Sequence, residues 1–64
     1  TMKIIKVLVE DKHMPAFEVN LRECGFPLFK SSLYKDNQFI YTIQTPDGKV
    51  NDVYRLAQYY RDKS

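Results

Sequence analysis

From Lys3 to Glu10 the chain reads KIIKVLVE, with Ile5, Val7 and Val9 at one alternate set of positions and Ile4, Lys6 and Leu8 at the other. A run this short and this rich in β-branched residues predicts a strand. Both sets carry apolar groups, so both faces of that strand are expected to be at least partly covered, by this chain or by another.

Two periods compete between Asp11 and Gly25. Met14, Phe17, Leu21 and Cys24 fall at i, i+3, i+7 and i+10, the spacing of one helical face, whereas Phe17, Val19 and Leu21 alternate with Glu18, Asn20 and Arg22 as a strand would. The helix is preferred because it also gives Pro15 a first-turn position and makes Gly25 a left-handed stop ahead of Pro27. It buries Cys24 and exposes Val19; the strand buries Val19.

Leu28 to Lys35 and Gln38 to Thr45 read as two strands around Asp36-Asn37, residues suited to the positive φ angles of a tight hairpin. The second, QFIYTIQT, has the highest β-propensity in the chain and belongs in the middle of the sheet. Closure by two turn residues alone sets Tyr34 opposite Phe39 and Leu33 opposite Ile40. Phe39, Tyr41 and Ile43 then share one side, and Phe29, Leu33 and Ile40 the other. One more turn residue would move Phe29 and Leu33 to the Phe39 side.

Pro46-Asp47-Gly48 predicts a turn, and Asn51 a side-chain cap for a helix from Asp52 to Arg61. Val53, Leu56, Ala57 and Tyr60 form its apolar stripe, Tyr54 and Tyr59 flank it, Arg55 lies opposite, and Arg61 and Lys63 make its end basic.

The resulting order, β-α-β-β-α, predicts an α+β domain with a three-stranded sheet, both helices on one face, and the third strand between the other two. This resembles a ferredoxin-like fold lacking its last strand. If the middle segment were a strand, the product would be a four-stranded antiparallel meander with a C-terminal helix.

Sixty-four residues suffice for one domain, 1–64, and one core. The charged and apolar fractions are those of a folded protein, and a net charge of +2 does not by itself select nucleic acid or an anionic membrane. The lone Cys24 permits no internal disulfide, which points to a reducing, cytoplasmic setting. No apolar run has membrane-spanning length and none reads as a signal peptide. Thr1, standing before Met2, reads as a leftover ahead of the native start and is set aside.

Catalytic chemistry finds little to stand on. His13 sits in a polar loop without a nucleophile partner, and Cys24 at a helix C-terminus beside Glu23 lacks the electropositive surroundings that activate a thiol. One His and one Cys in separate elements make no metal site, and two glycines make no phosphate loop, so neither metal nor cofactor is expected. Length and the strand-helix-strand opening resemble the small tautomerases, but Thr1-Met2 stands where their N-terminal proline base belongs. A non-enzymatic protein is expected.

Two kinds of binding remain. Tyr34, Phe39 and Tyr41 with Lys30 and Lys35 compose a platform for single-stranded nucleic acid, but the ten cations are scattered through every element and interleaved with acids. Protein binding is favoured: the uncovered sheet side would present Phe29, Leu33, Ile40, Ile4 and Leu8, more apolar surface than a monomer usually leaves open. The last helix adds Tyr54, Arg55 and Tyr59, residue types frequent at binding hot spots. The expected partner is another protein or a second copy, as for an inhibitor, adaptor or accessory factor, and a stand-alone domain this short suits a virus or mobile element.

Overall fold

The β-branched opening forms strand β1, Met2–Glu10, hydrogen-bonded antiparallel along its whole length to β3, Gln38–Pro46. Strand β2, Phe29–Lys35, pairs antiparallel with the other side of β3, giving the order β1-β3-β2. The segment with the strongest β-propensity thus takes the central position, paired on both sides. Helix α1, Met14–Glu23, follows a 3-10 turn at Asp11–His13, and α2, Val50–Asp62, follows one at Asp47–Lys49. The computed structural model describes residues 1–62; the expected contribution of Lys63 to the end of α2 lies outside them.

Residues opposite one another across an antiparallel ladder share a face. Ile5, Ile43 and Phe29 form one row, Val7, Tyr41 and Ser31 the next, and Val9, Phe39 and Leu33 a third, all on the side that carries both helices. Phe17 and Leu21 of α1, and Val53, Ala57 and Tyr60 of α2, close over the buried part of these rows. Phe17 meets the rings of Tyr41 and Tyr60 edge-on, at 5.0 and 5.8 Å between centroids, an arrangement favoured by the ring quadrupoles.

The middle segment is a helix, and its C-terminus supplies the reason. Past the C-cap residue Cys24, Gly25 takes φ +89° and donates its N–H to Arg22 at 3.2 Å, while Phe26 donates to Leu21 at 2.7 Å. These are the two bonds of a Schellman motif, and Phe26 packs into the core with Leu21 as its apolar contact. Cys24 is therefore exposed, not buried: the helical stripe ends at Glu23, and Phe26 fills the place expected for Cys24. Val19 is exposed, as the helix requires.

The hairpin departs from expectation in register. Asp36 and Asn37 form the turn, with Asp36 at φ +41°, but Lys35 lies opposite Gln38 while Leu33 lies opposite Phe39. Two steps on β2 match one on β3, so a bulge at Tyr34 absorbs one residue. Phe29 and Leu33 consequently face the helix side with Phe39, and do not share a face with Ile40. Two smaller corrections concern the helix ends. Asn51 lies inside the first turn of α2, which begins at Val50 because the preceding 3-10 turn runs straight into it, so Asn51 is not its cap. Thr1 takes part in the fold, its carbonyl accepting the Asp47 N–H at 3.1 Å.

Polar bonds tie the helices to the core. Asn20 of α1 bonds the Tyr60 hydroxyl of α2, and the fully buried Tyr41 donates its hydroxyl to Glu18 Oε2 at 2.5 Å. Arg22 stands 3.6 Å from Glu18 and lies over the Phe29 ring. Burial, reinforced by the bond to Glu18 and by its charge, pushes the Tyr41 phenol well above its ordinary pKa, with Ser31 and Arg22 opposing weakly.

Two outcomes follow from this fold. Replacing Gly25 by Ala meets no atom within 4 Å, so its cost is the left-handed backbone alone, about 1–2 kcal/mol by urea unfolding; Gly48→Ala, equally open but outside the left-handed region, is expected to be neutral or slightly stabilising. Because the folded-state pKa of Tyr41 is raised, its contribution to stability is complete below the unfolded value of about 10 and is lost as pH rises above it. Tyr41→Phe should remove that part of the alkaline decline and cost about 1–2 kcal/mol at neutral pH, measured by unfolding titrations across pH.

Candidate functional site

The side of the sheet facing away from the helices has no covering element among the described residues. Its rows follow from the same register: Ile4 beside Gln44, then Lys6, Thr42 and Lys30, then Leu8, Ile40 and Ser32, then Glu10, Gln38 and Lys35. Leu28 continues the ladder beside Gln44, whose N–H it accepts at 2.9 Å, and Met2 stands opposite Pro46. Ile4 is 62% exposed, Leu28 54%, Met2 51% and Leu8 39%, with Ile40 half-buried among them. Each strand alternates as its sequence dictates, so these residues are uncovered because the odd-numbered positions of β1 and β3 already fill the one face that two helices can cover.

The eight residues expected to bind a partner are divided among three surfaces. Ile4, Leu8 and Ile40 lie together on the open face. Phe29 and Leu33 lie on the helix side; Phe29 is half-buried under Arg22 and against Tyr41, while Leu33 projects beyond α1 and is 65% exposed. Tyr54, Arg55 and Tyr59 are exposed on α2, on different flanks. Tyr54 borders a cleft of about 510 Å³ between α2 and the edge of β1, where Leu8, Glu10 and His13 also line the wall. Arg55, 3.9 Å from Asp52, and Tyr59 border a groove of about 610 Å³ with Cys24 and Phe26. The structure thus joins Tyr54 to the Leu8 edge and leaves Arg55 and Tyr59 apart from the sheet.

Met2 and Leu28 belong to the open face and were not picked out by sequence reasoning. Met2 lies one step before the expected start of β1, and Leu28, the first residue of its expected strand, reaches the open face only through the bulge at Tyr34. The alternation of β1 set Lys6 beside Ile4 and Leu8, whereas Lys30 was legible only as a scattered cation until the register placed it across Thr42 from Lys6.

The polar groups elsewhere are arranged for packing. The His13 ring lies tilted against that of Tyr60, 5.6 Å between centroids, and its Nε2 is shut away from solvent with no hydrogen-bond partner among the described residues. Cys24 is exposed at the C-terminus of α1. Among the described residues no three His, Cys, Asp or Glu side chains gather closely enough to hold a metal ion, and no helix is long and apolar enough to cross a membrane. No family model matches this chain, and no curated protein and no solved structure matches it significantly.

Proposed function

We propose that this protein is a small non-catalytic binding module that docks the open face of its sheet on another protein and acts by occupying that partner's surface. One observation carries the reading: on the side opposite both helices Met2, Ile4 and Leu28 stand on one side of the Lys6–Thr42–Lys30 row and Leu8 and Ile40 on the other, with nothing covering either apolar group among the described residues. Seating each such side chain against a partner is worth roughly 1.5–3 kcal/mol, so a few of them suffice to hold a complex after the cost of association. Inhibitor, adaptor and accessory factor share this mechanism. The free, exposed thiol of Cys24 suits a reducing cytoplasm.

Nucleic-acid binding is the weaker reading. Of the rings expected to stack on bases, Tyr41 is fully buried and Phe39 lies on the helix side; Tyr34, exposed beneath Lys35, is left as a single ring and not a platform.

The test is a double substitution, Ile4→Glu with Leu8→Glu. Both side chains face solvent, so circular dichroism and the unfolding midpoint should change little. Partner affinity in a quantitative pull-down should fall about 100-fold or more, the loss of two apolar contacts. Equal retention of the same proteins by both forms would overturn the reading.

A further inference from the structure

We propose that the partner element seated on the open face is an acidic amphipathic helix, lying along the strands over β3 with carboxylates on both borders of its apolar stripe. This rests on the docking role argued above and adds the chemistry of the occupant.

Charge is segregated in this fold in a way the net value conceals. Of the eight acidic residues, only Glu10 lies in a strand, and it stands 3.9 Å from Lys12; the other seven are in helices and turns. Lys6 and Lys30, by contrast, occupy the middle row of the open face, one on each side of Thr42. Both are exposed, and neither takes part in an ion pair among the described residues. Apolar residues stand before and after them: Ile4 and Leu28 in the row on one side, Leu8 and Ile40 in the row on the other.

That pattern disfavours a second copy docked about the centre of the face. A two-fold axis through the centre of the face would set the Lys6–Thr42–Lys30 row of one molecule against the same row of the other, and like charges in opposition select against pairing. It also fits the dimensions of a helix. The outer strands lie about 9.6 Å apart, twice the strand spacing, which matches the roughly 10–12 Å width of a helix with its side chains. Seated along β3, such a helix would rest its apolar stripe on Ile40, with Ile4 and Leu8 of β1 along one flank and Leu28 along the other. Lysines then approach it from both flanks at one level, where Glu or Asp borders answer them.

Two synthetic peptides of about 18 residues, long enough for appreciable helicity, provide the probe: both carry the same leucine stripe, one bordered by Glu and the other by Lys. In fluorescence anisotropy at low ionic strength, the Glu peptide should bind the wild-type protein about tenfold more tightly than the Lys peptide, the combined effect of a few exposed ion pairs. Lys6→Glu with Lys30→Glu should reverse that preference, and Ile4→Glu with Leu8→Glu should abolish binding of either peptide. Equal binding of the two peptides, unmoved by the lysine exchange but lost on the Ile4 and Leu8 exchange, would overturn the acidic helix and leave the docking role standing. Insensitivity to the Ile4 and Leu8 exchange would overturn both. Binding of neither peptide, a wild-type dimer in sedimentation that the lysine exchange does not weaken, or lysine-dependent binding of oligothymidylate in place of the Glu peptide would each overturn the acidic helix.

Discussion

One extra residue governs which side of this sheet is which. Where β2 steps past β3, the bulge at Tyr34 shifts every earlier residue of β2 by one position, and in a structure of period two a shift of one exchanges the faces. Without it Phe29 would stand on the open side, and the corner of the core under Arg22 and beside Tyr41 would lack its ring. With it, β2 contributes Phe29 to the interior and Lys30 to the exterior. The same step brings Leu28 and Lys30 to the open face, where β1 supplies Ile4, Lys6, Leu8 and Glu10.

Much of the architecture was legible because local signals agreed with one another. The alternation Ile5, Val7, Val9 against Ile4, Lys6, Leu8 gave the two faces of β1 directly, and Pro15 with Gly25 bracketed α1 more firmly than its apolar spacing did. The stripe Val53, Ala57, Tyr60 placed α2. The strand between the other two was recognisable from its composition, since β3 holds no glycine and only a terminal proline.

What was not legible has physical causes. A bulge leaves no mark in composition when its residue, here Tyr34, is as good a strand former as its neighbours, so Phe29 and Leu33 were assigned to the wrong side. Helical periodicity has no end of its own; it carried Cys24 into the core, whereas the turn at Gly25 delivered Phe26 there. Ile4, Leu8 and Ile40 survived as members of the candidate surface because β1 and β3 pair without irregularity. The long reach between α1 and Tyr60, or between Glu18 and Tyr41, follows from tertiary geometry that no spacing in the chain announces.

The placement of β1 has a further consequence for how the chain reaches this state. Its pairing partner lies far along the sequence, whereas β2 and β3 are joined by a short local turn, so the hairpin can assemble early while β1 must wait for a distant docking event. During that interval a segment that is greasy on both sides is unprotected and prone to join its like in other molecules. Lys3 and Lys6 interrupt it at intervals, in the manner of gatekeepers that keep nascent strands apart. The cation at the centre of the finished surface therefore also serves the unfinished chain, a second constraint on a residue that the completed fold alone would leave free to vary.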